Sequence, residues 1–250
     1  MKLKVLLVFL IVSIASIFVL IFIIYYENRK MVPILTYHSV EPSSNNDLTV
    51  EVSKFERQLK MLKKLGYKTL SLDQFLCWKN GECDKPNHSV LITFDDGYLN
   101  NYEYAFKLLK EYDFNAVVFY LGINYDKENT NYMNIKDILK IKKEYPNIEF
   151  ASHTFNLHNR EMKNYEVVKS DSDKMKSIID TKYLAYPYGE YDSEYIRALK
   201  DSGYEMAFTF GPGKEHRKAR LTDDNYKIPR LNISNNMPMW KFVLRLLLPI

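Results

Sequence analysis

The sequence predicts an α/β fold, a barrel of about seven strands wrapped by helices and preceded by one N-terminal transmembrane helix. Three observations carry that expectation. The N-terminus holds a charge-free apolar run long enough to cross a bilayer. Beyond it, short apolar runs alternate with segments of helical periodicity about seven times, the pattern of strand–helix units around a parallel sheet. With 46% hydrophobic residues in a 250-residue chain there is material for one sizeable core, and no glycine-rich phosphate loop follows the first strand. The last point favours a barrel over a dinucleotide-binding sheet.

The first element is "VLLVFLIVSIASIFVLIFIIYY", Val5 to Tyr26, preceded by Lys2 and Lys4. It is longer than the apolar core of a secretory signal, and no small-residue cleavage site follows it. Residues 1–30 are therefore expected to be an uncleaved membrane anchor, and residues 31–250 a catalytic domain outside a cell membrane crossed once. Flanking charge does not settle orientation, because Arg29 and Lys30 with Glu27 stand on the other side.

The net charge of +4 belongs mostly to this segment. Without residues 1–30, 31 basic groups face 30 acidic ones. No basic stripe remains to engage nucleic acid, and none is expected as a partner. Cys77 and Cys83 bracket "WKNGE", whose Asn-Gly reads as a tight turn. Outside the membrane they can form an intramolecular disulfide; otherwise they are two free thiols.

The domain opens with "MVPILTYHSV", an apolar run reaching His38, and the polar loop "EPSSNNDLTV". "SKFERQLKMLKKLGY" spaces Phe55, Leu59, Leu62 and Leu65 as one helix face, with Ser53 as expected N-cap and Gly66 as stop. "YKTLSLDQFL" reads as a strand entering a helix. Strands are then expected at "SVLITF", "NAVVFYL", "IEFAS", "KYLAYPY" and "YEMAFTF", and helices at "LNNYEYAFKLLKEYD", "NIKDILKIKKEY", "EVVKSDSDKMKSII" and "DSEYIRALKDSG". The tail "MPMWKFVLRLLLPI" reads as a helix over the barrel or against a membrane surface.

Polar clusters fall where the strands end, the place barrels use for chemistry. Asp95 and Asp96 close "SVLITFDDG"; His153 and His158 lie in "SHTFNLH"; "YPYGEYD" follows "YLA". Asp-Asp-Gly alone reads equally as a turn. A helix would splay His153 and His158 by roughly 140°, and a strand would send them to opposite faces. They converge only if the segment curls as a loop; otherwise one caps a turn and the other is exposed. Two histidines and one carboxylate make a three-ligand open metal site, which frees the second aspartate to act as a base. A divalent cation would also relieve the repulsion between adjacent carboxylates.

These residues resemble the NodB-homology polysaccharide deacetylases, a group of carbohydrate esterases. "TFDDG" at Thr93–Gly97 is similar to that family's first motif, "HTFNLH" at His153–His158 to its second, and "YPYG" at Tyr186–Gly189 to its third, over about residues 31–235. The resemblance implies a distorted (β/α) barrel. It implies Asp96, His153 and His158 as ligands of one divalent ion, Zn foremost with Co, Ni, Mn or Fe as alternatives. Asp95 would be the general base, with Tyr188, Pro187 and Tyr98 near the substrate and the Tyr188 N–H facing the oxyanion.

Two departures stand out: Ala185 occupies the place of the arginine that usually orients the base, and "PRLNIS", Pro229–Ser234, lacks the usual acid histidine. His38 resembles the early acid histidine of the poly-N-acetylglucosamine deacetylase branch. The implied activity is metal-dependent removal of N-acetyl groups from an N-acetylated glycan polymer, exopolysaccharide or peptidoglycan, at a bacterial surface. An O-acetyl esterase and a degenerate glycan-binding barrel are the alternatives. His88 and His216 are expected to be solvated.

Overall fold

The computed structural model describes residues 2–128, 130–159, 164–210 and 217–249. Nine short strands form the central sheet: β1 (Ile34–Tyr37), β2 (Lys68–Thr69), β3 (Ser89–Asp96), β4 (Ala116–Tyr120), β5 (Ile148–Ser152), β6 (Tyr183–Ala185), β7 (Met206–Thr209), β8 (Ile228–Pro229) and β9 (Leu231–Asn232). Their order is β8-β7-β6-β5-β4-β3-β1-β9, every pairing is parallel, and β2 joins the start of β3. Only Arg230 separates β8 from β9. One segment thus pairs with β7 on one side and with β1 on the other, nearly closing the sheet as a seventh stave.

Burial explains the apolar runs. All eight residues of β3 are buried, because a barrel strand is covered on both faces. Alternate residues divide between two cores: Leu91, Val117, Phe119, Ala151, Phe208 and Ile228 pack in one, and Leu35, Val90, Ile92, Phe94, Val118 and Tyr120 in the other, beneath the helices. Each buried Val, Leu, Ile or Phe among them contributes roughly 1.5–3 kcal/mol on leaving water. Asp95 shares the alternation of Leu91, so its carboxylate faces the barrel interior.

The outer helices are α2 (Val52–Lys64), α3 (Leu72–Lys79), α4 (Phe106–Glu111), α5 (Ile135–Glu144), α6 (Tyr165–Ile178), α7 (Ser193–Asp201) and α8 (Met239–Leu247), following α1 (Lys2–Arg29). Ser71 and Asn134 form reciprocal caps with Gln74 and Asp137, while Asn164 and Asp192 cap singly; each cap is worth about 1 kcal/mol. Ser53 is not a cap. The chain leaves the Thr49–Glu51 strand and turns helical at Val52, so Glu51 takes the N-cap position and Ser53 lies in the first turn. Asn101–Ala105, expected to be α-helical, is a widened turn that precedes α4.

α1 is long and apolar enough to cross a membrane, and its apolar side chains are exposed. Its end meets α8, where Asn28 Nδ2 donates to the Leu247 carbonyl. α8 buries Phe242 and Leu246. Cys77 and Cys83 stand at disulfide distance, with Cα atoms 5.5 Å apart. His88 is exposed, as expected, and rests against Tyr67; His216 lies outside the described residues.

Candidate active site

The expected site residues meet at the C-terminal end of the barrel. β3 delivers Asp95 and Asp96, paired with Phe119 and Tyr120 of β4. Strict alternation would send adjacent side chains to opposite faces, but Asp96 has φ +71° and turns back. Both carboxylates therefore approach His153 Nε2, Asp96 Oδ1 at 3.5 Å and Asp95 Oδ2 at 4.0 Å. Gly97 follows with φ +81°, and a Cβ there would stand 2.5 Å from the Tyr120 ring. The Asp-Asp-Gly stretch is thus both a strand end and a sharp turn.

His153 and His158 converge because the segment between them curls. Thr154 has φ +74°, its Oγ1 accepts from the Leu157 N–H, and the Asp171 carboxylate accepts from the N–H groups of Phe155 and Asn156. The ring centroids come to 5.3 Å. Of the four non-glycine residues with positive φ among those described, Asp96, Thr154 and Tyr188 all lie at this end, where such strain is commonly held.

Asp96, His153 and His158 offer one ligand atom each, all within 4.8 Å of one another. Their chemistry fits a divalent cation. His153 Nδ1 lies 2.8 Å from the Ala185 carbonyl and donates to it, which leaves the Nε2 lone pair directed at Asp96. Asp96 Oδ1 is buried and accepts no hydrogen bond, although His158 Nε2 is 3.3 Å away. Burial holds His153 below the ordinary histidine range, against the pull of Asp95 and Asp96. A neutral imidazole is the form that ligates metal.

Sequence reasoning missed Arg230. Its guanidinium is fully buried and grips Asp95 with two hydrogen bonds, Nη1 to Oδ1 at 2.6 Å and Nη2 to Oδ2 at 2.9 Å. It also lies 5.4 Å from the Phe119 ring centre and 4.7 Å from that of Phe210. Burial alone would raise the Asp95 carboxyl, but the Arg230 charge and hydrogen bonds, together with His153 and His38, outweigh it and hold the carboxyl at about 2. The arginine absent at Ala185 is thus supplied from the strand that closes the barrel. The available signal was a charged residue within the apolar run "IPRLNI".

His38 follows β1, half-buried, with its carbonyl held by Asn101 Nδ2 at 2.7 Å. Its Nδ1 is buried without a partner, and its positive charge would act on both Asp95 and Asp96. Pro187 is buried in the loop after β6, whereas Tyr188 is 42% exposed and packs at a tilt against His158, rings 4.8 Å apart and hydroxyl 3.4 Å from Nδ1. Tyr98 is half-buried against Tyr132, ring to ring 4.8 Å.

Known proteins share this architecture. The Bacillus subtilis protein YxkH, assigned to the polysaccharide deacetylases, is 30% identical over 218 residues, covering 84% of this chain and 74% of that one. A poly-beta-1,6-N-acetyl-D-glucosamine N-deacetylase of Staphylococcus epidermidis is 29% identical over 231 residues, 85% of this chain and 78% of that one. The fold matches that of the Streptococcus pyogenes deacetylase PplD, solved in complex with acetate. The TM-score is 0.77 at 23% identity, over 86% of this chain and 98% of that one. The family model "Polysaccharide deacetylase" matches residues 82–207, which contain both aspartates and both histidines but neither His38 nor Arg230. On the shared motifs, coverage and fold, the chain belongs to the polysaccharide deacetylase family.

Proposed function

We propose that this protein is a metal-dependent hydrolase that removes N-acetyl groups from N-acetylglucosamine-containing polysaccharide at a bacterial cell surface. One observation carries the reading: the open Asp96–His153–His158 cluster stands beside a second carboxylate, Asp95, that Arg230 keeps ionised. In this reading the three clustered residues hold one divalent ion, Zn²⁺ being the first candidate. Such an ion supplies a Lewis acid and makes water acidic enough to deprotonate near neutral pH.

The chain's own groups do the rest. Asp95 accepts the proton of the attacking water, and the Arg230 fork fixes where that carboxylate points. His38, near enough for its charge to reach both carboxylates, donates to the departing amine, which must leave protonated. Pro187 and Tyr188 border the acetyl group and Tyr98 the sugar, with the Tyr188 N–H directed to the oxyanion.

The relatives named as poly-beta-1,6-N-acetyl-D-glucosamine N-deacetylases support an exopolysaccharide substrate. Residues 1–30 act as a single-pass anchor in the cell membrane, with residues 31–250 outside, where bonded cysteines persist.

The test uses the full chain in detergent, stripped with a chelator and reloaded with Zn²⁺ or Co²⁺. Acetate release from N-acetylglucosamine oligomers is measured for wild type, Asp95→Asn and His38→Ala. The reading expects metal-dependent release that each substitution lowers at least about 100-fold. Release from O-acetylated sugars alone would replace it with an esterase.

A further inference from the structure

A groove of about 590 Å³ leads away from this site between the loop after β1 and the chain after β3. It starts at the strand ends of the candidate site: Ser39 follows His38, and Tyr98, two residues past Asp96, lines it. Tyr98 and Tyr104 supply ring faces, and Asn46, Asn100 and Asn131 supply amides, a lining suited to a sugar residue. Asn100 Nδ2 donates to Ser39 Oγ and to Glu41 Oε1, both at 2.7 Å, which pins the Glu41 carboxylate to the wall. Asn100 Oδ1 is buried there without a partner.

Glu41 and Glu103 both line this groove. Among the described residues no lysine or arginine pairs with either of them. Two carboxylates accept hydrogen bonds from the hydroxyls of any sugar, but only a sugar bearing a protonated amine also pairs with them by charge. Resting on the deacetylase reading, we propose that the groove binds a neighbouring hexosamine that has already lost its acetyl group, its ammonium lying between Glu41 and Glu103. Each product amine then favours reaction at the next residue, so free amines accumulate in runs along the polymer.

The experiment compares kcat/KM of the full chain, metal-loaded in detergent, on an N-acetylglucosamine tetramer and on the same tetramer with one residue deacetylated. Calorimetry of glucosamine tetramer binding to the metal-free protein accompanies it. Wild type should prefer the amine-bearing substrate by about five- to tenfold, the size two partly exposed ion pairs supply. The preference should vanish in E41Q/E103Q and in 1 M salt, where screening acts over about 3 Å. Equal or lower activity on the amine-bearing tetramer, or a preference that survives E41Q/E103Q, overturns the proposal while leaving the deacetylase reading intact. If neither tetramer is hydrolysed, that reading fails, and calorimetry still decides the groove: binding by wild type but not E41Q/E103Q supports it, and absence of binding overturns it.

Discussion

Replacing Arg230 by methionine tests how the barrel keeps Asp95 ionised. The guanidinium is fully buried and makes two hydrogen bonds to a carboxylate that is itself 1% exposed. Removing one partner of such a pair strands the other charge, at a cost of about 3–5 kcal/mol. Burial, the largest single influence, pushes Asp95 up; the Arg230 charge and hydrogen bonds, with His153 and His38, together outweigh it and bring the carboxyl from 3.8 to about 2. A fall of that size is roughly 2 kcal/mol of net stabilisation of the ionised form.

The sign follows. In the wild type this stability is present above the unfolded value near ~4 and is lost as pH falls through about 2. In Arg230→Met the folded carboxyl lies above its unfolded value, so stability is instead lost as pH rises through that range. Urea denaturation from pH 3 to 8, with pH profiles of kcat/KM, reads both effects. The acid limb of the variant should move up by at least about one unit, and Arg230→Lys, which keeps charge without the fork, should fall between. A variant within 0.5 kcal/mol of wild type (roughly twofold in the folding equilibrium), with an unmoved acid limb, would show that Arg230 does not govern Asp95.

Other perturbations give equally definite outcomes. Asp96→Asn or His153→Ala should reduce bound metal, measured by elemental analysis, well below one equivalent and lower deacetylation at least about 100-fold. Full metal content in either variant would remove that residue from the ligand set. Gly97→Ala should destabilise by about 2–4 kcal/mol, because its Cβ meets the Tyr120 ring at 2.5 Å in a backbone of φ +81°; an unchanged urea midpoint would contradict the close packing. Cys77→Ser/Cys83→Ser should lose about 2–3 kcal/mol by reopening a short loop. Alkylation of the unreduced wild type should find no thiol, and labelling of both cysteines would refute the bond.

Much of the fold was legible because its signals are local. The unbroken apolar runs of the 28-residue α1 and of β3, and the helical period of α2, each show within one window of sequence. Ser53 was misread because the strand Thr49–Glu51 runs directly into α2, and a cap is set by where the backbone turns rather than by which polar residue stands nearby. Arg230 could not be joined to Asp95 by any spacing rule, since 135 residues separate them.

The sequence alone determined which residue types could hold a metal, the carboxylate pair, the alternation of strand and helix, and an N-terminal segment apolar enough for a membrane. Those properties depend on side-chain chemistry and on near neighbours. Tertiary structure decided which groups meet. Closure of the sheet through Ile228–Asn232 brings Arg230 under Asp95. The left-handed turns at Asp96 and Thr154 aim Asp96, His153 and His158 at one point. Parallel strands ending together set the Glu41 groove beside them. Such convergence follows from packing between elements far apart in the chain, and no local pattern encodes it.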